Sequence, residues 1–280
     1  MLFRSSVALN GDTALVGAYS DDTARGFDAG SAYVYVRSGG VWTQQTRLEA
    51  GDGSAQDLFG VSVALRGDTA LVGAYQDDTA AGPNAGSAYV FVRSGGVWTQ
   101  QARLWASDGT TNDYFGVSVA LSGETALVGA HFDVGNAYVF VRSGAAWTEQ
   151  ARLGASDGSA GDGFGMSVAL SGDTALVGAP YDDTATGVDA GSAHVFVRNG
   201  TNWSSSAQLK GDDVADSDEI QVAGRDPHDQ VLLGDDPEDE VLAVLPLDLP
   251  HLDLLDDCGP VIGIDDRFAD GESHMSGSPS

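Results

Sequence analysis

The chain has 280 residues and a formal net charge of −28, with 41 Asp and Glu residues against 13 Lys and Arg residues. An acidic chain of this kind repels nucleic acids and anionic membranes, and it favours cations, basic partners or solubility in salt. The single cysteine, Cys258, excludes an intrachain disulfide and a cysteine-based zinc site. No apolar run approaches the roughly 20 residues of a spanning helix, so we expect no membrane insertion. The start MLFRSSVALN carries no signal-peptide pattern.

The first predicted elements recur along the chain. A Phe-Gly pair begins at Phe59, Phe115 and Phe164, and Phe3 occupies the corresponding place before Arg4. These positions divide the predicted repeat domain, residues 1–219, into approximate repeats 3–58, 59–114, 115–163 and 164–219. A period near 50 residues is typical of solenoids, propellers and arrays.

Each repeat predicts four strands. In residues 59–104, VSVAL and TALVGA flank a short turn at Gly67-Asp68, which is a hairpin signal. SAYVFVR then reads as a strand that is apolar on both faces, and a glycine turn leads into VWTQQARL. We expect VWTQQARL to alternate along its whole length, with Trp98 and Leu104 on one face. Four strands that grade from buried to amphipathic predict one propeller blade.

The blade pattern ends near residue 219. Acids recur through Asp218, but Ile220-Gln221 stands where the next Phe-Gly pair would begin. Residues 212–280 contain 20 Asp and Glu residues and only 2 Lys and Arg residues. Two interpretations of residues 220–280 stay open: an acidic, mostly disordered tail, or the product of a frameshift or a misplaced gene end.

FGVSVALRGDTALVGAY followed by SAYVFVR resembles the FG-GAP repeat family, which includes the propellers of integrin alpha subunits and bacterial proteins with an added VWTQQARL strand. The resemblance implies an all-β fold, a β-propeller of four-stranded antiparallel blades. It also implies an extracellular or cell-surface location. Family propellers commonly have seven blades, so four repeats predict a partial or open propeller. Open blade edges would favour self-association or completion by a partner.

The hairpin turn between the first two strands of each repeat carries one acid. These hairpin acids are Asp12, Asp68, Glu124 and Asp173. In integrin repeats, the resemblance implies a DxDxDG calcium loop at this place, but the turn here is too short to surround Ca²⁺ with six or more oxygens. We therefore assign these four acids to turn chemistry.

Two other sets of acids are candidate calcium ligands. The paired acids after Val-Gly-Ala have a further Asp or Asn downstream, whereas the third repeat keeps only Asp133. An Asp-x4-Asp loop also precedes each Phe-Gly pair. Carboxylates suit Ca²⁺, but Asp also caps turns through its own backbone, and both interpretations stay open. The candidates are Asp21, Asp22, Asp28, Asp77, Asp78, Asp182, Asp183, Asp189, Asp157 and Asp162.

The sequence contains no HExxH, GxSxG, P-loop or Rossmann glycine motif. The resemblance, together with the variable residues Ser20, Gln76, Phe132 and Tyr181 just before the acids, implies a non-enzymatic extracellular scaffold that binds or adheres to a protein or glycan partner, with calcium as its one candidate cofactor. The alternative is a propeller domain of a secreted hydrolase or lyase whose catalytic part lies outside this chain.

Overall fold

The structure is a computed structural model that describes residues 6–185 and 187–211. All of these residues belong to one of the two units of the chain, Met1–Leu245. The expectations for residues 220–280 lie outside the described residues, and so does Phe3. Within the described ranges, no helix is long and apolar enough to cross a membrane.

In these described ranges, sixteen strands form four separate four-stranded antiparallel sheets, and each sheet is built from four consecutive strands. We number these sheets as blades 1 to 4. The strand bounds, blade by blade, are β1 Val7–Asn10, β2 Thr13–Ala18, β3 Ser31–Ser38 and β4 Val41–Leu48; β5 Val63–Arg66, β6 Thr69–Ala74, β7 Ser87–Ser94 and β8 Val97–Leu104; β9 Ser118–Ser122, β10 Thr125–Ala130, β11 Asn136–Ser143 and β12 Ala146–Leu153; β13 Ser167–Ser171, β14 Thr174–Ala179, β15 Ser192–Asn199 and β16 Asn202–Leu209.

The predicted hairpin between the first two strands of a blade is confirmed. In blade 2, Arg66 pairs with Thr69 across the two-residue turn Gly67-Asp68. Gly67 has a φ of 55°, a left-handed conformation that costs glycine little and other residues more. The turn therefore fixes the register of β5 against β6.

The third strand is buried on both faces, as predicted. In β7, Tyr89 and Phe91 pack in the core shared with blade 1, whereas Val90 packs in the core shared with blade 3. The phenylalanine of the Phe-Gly pair completes this packing. Phe59 lies edge-on to Tyr89 and Phe91, with ring centroids 5.6 and 6.0 Å apart.

The expected unbroken alternation of the fourth strand is wrong. Val90 pairs with Ala102, but the next residue, Phe91, pairs with Gln100, so Gln101 is an extra residue in a β-bulge. The bulge reverses the faces of the strand. As a result, the Trp98 side chain packs toward blade 1 and the Leu104 side chain packs toward blade 3.

Three apolar cores join the four blades in chain order, one at each seam between neighbours. Each seam also contains an indole hydrogen bond of 3.0 Å to a glutamine of the preceding blade: Trp98 to Gln45, Trp147 to Gln101 and Trp203 to Gln150.

The two end faces of this series remain exposed. Leu104 in blade 2 is 3% exposed, whereas the equivalent Leu209 of blade 4 is 48% exposed, and Leu9 of blade 1 is 68% exposed. The described residues thus form an open arc of four propeller blades, as the sequence predicts.

Candidate functional site

The acidic loops meet at one edge of the blades. The loop between the second and third strands of blade 2 carries Asp77, and the loop that enters blade 2 carries Asp52. Arg103 of β8 joins the two loops, because its guanidinium lies 2.6 Å from each of these carboxylates. Its Nε also donates a 2.9 Å hydrogen bond to Ser87. This arginine ties adjacent loops into one network.

The first acid of each Asp pair is held by donors of its own blade. Asp77 accepts a 2.8 Å hydrogen bond from the Tyr89 hydroxyl and pairs with Arg103. Burial of Asp77 raises the pKa of its carboxyl, although Ser87, Arg103 and Tyr89 oppose that shift. Asp21 repeats the arrangement with Ser31 at 2.6 Å and Tyr33 at 2.7 Å.

The second acid of each pair organises its own loop. The Oδ1 atoms of these aspartates accept backbone N–H bonds of 2.9 Å from a residue six positions later, in the pairs Asp22 with Asp28, Asp78 with Asn84 and Asp183 with Asp189. The three donor residues have φ angles of 49°, 52° and 52°. The hydrogen bond therefore holds a strained, left-handed residue in place, which is typical Asx loop chemistry.

Blade 3 lacks the Asp pair, and an acid from the preceding loop substitutes for it. Asp108 accepts a 2.8 Å hydrogen bond from the Tyr138 hydroxyl and forms an ion pair with Arg152. These interactions lower the pKa of the Asp108 carboxyl against the opposing effect of burial. The inter-blade loop of repeat 2 thus supplies what repeat 3 has lost.

Blade 4 keeps the acid but changes its donors. Gln208 stands where blade 2 has Arg103, and His194 stands where blade 2 has Tyr89. Asp182 accepts a 2.9 Å bond from Gln208 and is also bonded by Ser192. The His194 ring is buried against Phe164, and burial lowers its pKa even though Asp157 and Asp182 oppose the shift.

The last acid of each inter-blade loop caps that loop. Asp57, Asp113 and Asp162 each accept the backbone N–H of the residue three positions earlier. Burial raises the pKa of Asp57 to about 7, and the charges of Asp77 and Asp78 add to the rise. Burial also raises the pKa of Asp162.

These contacts account for most of the candidate calcium ligands as parts of the loop framework. Among residues 6–185 and 187–211, no group of three or more His, Cys, Asp or Glu side chains is placed to hold a metal ion. The assignment of calcium to Asp21, Asp22, Asp28, Asp77, Asp78, Asp157, Asp162, Asp182, Asp183 and Asp189 stays a prediction.

The hairpin acids have partners that the sequence analysis did not identify. Each forms an ion pair with the arginine near the end of the third strand, in the pairs Asp12–Arg37, Asp68–Arg93, Glu124–Arg142 and Asp173–Arg198. Each arginine also lies over the fourth-strand tryptophan of its blade. The recurring Arg in YVFVR was the available signal for this opposite edge of the blades.

A cleft between blades 2 and 3 was also missed. Its volume is about 190 Å³, and one of its walls is Trp105, which is 56% exposed. Glu149 accepts hydrogen bonds from the backbone N–H of Ser107 at 3.0 Å and from its hydroxyl at 2.9 Å. The available signal was Trp105 itself, since Glu49, Gly154 and Lys210 occupy its position in the other repeats. The lining residues are Arg103, Leu104, Trp105, Ser107, Phe140, Trp147 and Glu149.

Comparison with solved structures gives distant matches. A mutant of the lectin of Aleuria aurantia in complex with Fucα1-6GlcNAc is 13% identical with a TM-score of 0.45, over 73% of this chain and 61% of that one. Another structure of this lectin, described as a six-bladed β-propeller, is 14% identical with a TM-score of 0.43, over 71% of this chain and 57% of that one. The chain thus spans less than two thirds of the length of these structures.

A comparison with curated proteins found no match. The family described as FG-GAP repeat matches four segments of the chain, residues 1–35, 42–91, 98–140 and 147–196. Each of the last three segments begins in the fourth strand of one blade and ends in the third strand of the next, and together the four segments cover more than half of the chain. The chain belongs to the FG-GAP repeat family.

Proposed function

We propose that this chain is a non-enzymatic scaffold, at the cell surface or outside the cell, that binds a protein or glycan partner through blade-specific side chains on a repeated frame. The observation that carries this proposal is a contrast between two sets of residues. The recurring acids already have hydrogen-bond or ion-pair partners within the repeated blade structure, which we call the frame, as in the Asp77–Arg103 ion pair. The exposed aromatic side chains, by contrast, differ from blade to blade, apart from Trp42, which recurs as a tryptophan in every fourth strand.

The exposed aromatic residues illustrate this contrast. Phe27 is exposed in blade 1, Trp105 after blade 2, Phe132 in blade 3 and Tyr181 in blade 4. Exposed aromatic side chains give large contact areas at a low entropic cost, and they are enriched in binding surfaces. A rigid frame with variable loops is a common arrangement for recognition.

The acids of the frame favour binding over catalysis. Asp57, Asp113 and Asp162 make the same backbone hydrogen bond in three successive loops. A catalytic pair acts at one place in a molecule, whereas a structural acid recurs with the repeat. His194 is buried and, unlike these acids, occurs in one blade only. It packs against Phe164 as Tyr89 of blade 2 packs against Phe59.

The test is a binding screen of the full chain against an array of defined glycans and a panel of purified extracellular proteins. We expect saturable binding to a member of one set, without consumption of the bound partner. The proposal is overturned if the chain binds no member of either set. It is also overturned if the chain turns over a polysaccharide with release of reducing ends, which would favour the hydrolase or lyase alternative.

A further inference from the structure

The cleft between blades 2 and 3 combines aromatic walls with polar groups of both signs. Trp105 and Trp147 contribute aromatic surface, and Phe140, which is buried, also lines the cleft. Arg103 and Glu149 contribute a cation and an anion. Apolar walls with a few convergent polar groups are the usual features of a small-molecule site.

The polar groups of the cleft match a neutral ligand with hydroxyl groups. A ligand with a carboxylate or phosphate group would be repelled by the negative charge of Glu149. A ligand with an ammonium group would be repelled by the positive charge of Arg103. Arg103 is already ion-paired with Asp52 and Asp77. Each oxygen of Glu149 accepts one hydrogen bond from Ser107, and a carboxylate oxygen has a second lone pair available. Hydroxyl groups both donate and accept, so a polyol suits both kinds of neighbour.

The walls and the size of the cleft indicate that the ligand contains a ring. The exposed indole of Trp105 offers an apolar face, against which the C–H face of a sugar ring can lie while its hydroxyls point to the polar rim. A volume of about 190 Å³ is below the roughly 300–1,000 Å³ of sites for drug-sized ligands. The cleft therefore fits one ring, and its open mouth leaves room for the rest of a glycan.

The arrangement occurs once in the four repeats. Trp105 is replaced by Glu49, Gly154 and Lys210, and Glu149 is replaced by Gln44, Gln100 and Ser205. A structural requirement of the blade would recur with the repeat, as the Trp98–Gln45 hydrogen bond does. The loop hydrogen bond of Glu149 has a counterpart in Gln100 and Gly51 of the preceding seam, but the indole of Trp105 and the negative charge of Glu149 do not recur, and these two features point to recognition at this seam.

We propose that the cleft between blades 2 and 3 binds one neutral sugar ring of a glycan, with Trp105 stacked on the ring and Glu149 accepting hydrogen bonds from its hydroxyls. This inference rests on the proposed binding function and assigns it a site and a ligand class.

The test is a titration of the full chain with the methyl glycosides of glucose, galactose, mannose, fucose and N-acetylglucosamine, followed by tryptophan fluorescence and by the NMR signals of the indole N–H groups. The repeats supply variants that the fold already accepts. Trp105→Gly introduces the residue of blade 3, and Glu149→Gln introduces the residue of blade 2. Gln100 accepts the Gly51 N–H at 2.8 Å, so the glutamine is compatible with the loop contact. Val41→Ala is the control: Val41 is exposed at the start of β4, away from the cleft, and blade 3 has Ala146 at this position.

We expect saturable binding of at least one glycoside, weakened about tenfold or more by Trp105→Gly and clearly weakened by Glu149→Gln, but unchanged by Val41→Ala. If glycosides bind equally well to all variants, the cleft is not the site, although the proposed binding function stands. If the chain binds proteins but no glycoside, the sugar assignment is overturned and the binding function stands. The same conclusion follows if binding of a lysine-rich peptide, and not of a glycoside, is lost in Trp105→Gly. If nothing binds, both are overturned.

Discussion

The carboxylate of Asp108, in the loop that leaves blade 2, accepts a hydrogen bond of 2.8 Å from the hydroxyl of Tyr138 in blade 3. Tyr138 is buried in the core between the two blades. The acid therefore performs across a seam the role that Asp77 performs within blade 2. A repeat that lost part of its own loop keeps a buried tyrosine satisfied through its neighbour.

Replacement of Asp108 should weaken the seam between blades 2 and 3. In Asp108→Ala, the Tyr138 hydroxyl loses its acceptor and Arg152 loses its ion pair, so we expect the free energy of unfolding to fall by about 1–2 kcal/mol. Urea denaturation measures this change. Asp52→Ala is the matched control, because Arg103 retains Asp77, and we expect a loss below about 0.5 kcal/mol. Equal losses in the two variants would contradict the assigned role of Asp108.

The buried carboxyl of Asp57 should make stability depend on pH. Its pKa is about 7 in the folded chain, whereas an unfolded Asp titrates near 3.9. Between these values the folded state holds more protons, so this group's contribution to stability decreases as pH rises from about 4 to about 7. Asp57→Asn should remove that contribution, so the variant should gain stability relative to the parent chain as pH rises.

Urea denaturation at about pH 5 and about pH 8 measures the difference between the parent chain and Asp57→Asn. Asp113→Asn, which alters the equivalent but partly exposed cap, is the control. Parallel pH curves for the parent chain and Asp57→Asn would show that the carboxyl titrates normally.

Gly73 should tolerate no side chain. A Cβ at this position would overlap the carbonyl oxygen of Gly116 and the hydroxyl of Ser62, where the backbones of blades 2 and 3 meet. We expect Gly73→Ala to destabilise the chain by about 3 kcal/mol or more, as severe overpacking does. Gly67→Ala is the control: it has open space and a φ of 55°, so only backbone strain of about 1 kcal/mol applies. Thermal denaturation measures the loss of stability in both variants. Equal losses would contradict the close approach of Gly73 to Gly116 and Ser62.

Calcium should have little effect on the stability of these blades. Asp21 and Asp77 accept side-chain hydrogen bonds, and Asp22 and Asp78 accept backbone hydrogen bonds. Ca²⁺ requires six to eight oxygens, and among the described residues no group of three or more His, Cys, Asp or Glu side chains is placed to hold a metal ion. We expect the same melting temperature in EDTA and in millimolar Ca²⁺. A rise with Ca²⁺ that Asp182→Asn and Asp183→Asn abolish would instead establish a calcium site in blade 4.

The exposed end faces should join two copies head to tail. At two of the seams, the third-strand arginine donates a 3.1 Å hydrogen bond to a threonine of the preceding blade. Arg93 of blade 2 donates to Thr13 of blade 1, and Arg198 of blade 4 donates to Thr125 of blade 3. Arg37 of blade 1 and Thr174 of blade 4 lie on the two end faces, where a second copy would bring them together. Leu209, which is 48% exposed, would be buried in the same contact.

Sedimentation over a range of protein concentrations should therefore show association that increases with concentration. Leu209→Glu should reduce the association, and Val134→Glu, in an exposed loop of blade 3, should leave it unchanged. A chain that stays monomeric throughout, or that associates equally well after Leu209→Glu, would contradict a contact between these faces.

Local chemistry explains what could be predicted from the sequence. The hairpin at Gly67-Asp68 and the doubly buried strand around Val90 depend on residues close in the chain, so their patterns were sufficient. The bulge at Gln101 could not be seen, because one extra residue leaves the apolar pattern of the strand almost intact. The role of Asp108 depends on which blade its loop faces, and the cleft at Trp105 depends on the packing of two sheets. Both are properties of seams, which no single repeat contains.

Each sheet is built from four consecutive strands, and none of the sixteen described strands is exchanged between blades. The unit of sequence that repeats is therefore also the unit that folds as a sheet. A duplication or loss of one repeat in the gene would add or remove a whole blade without leaving an unpaired strand. The number of blades in such a chain can therefore change in single genetic steps. Substitutions at positions such as that of Trp105 can change the surface of one seam at a time.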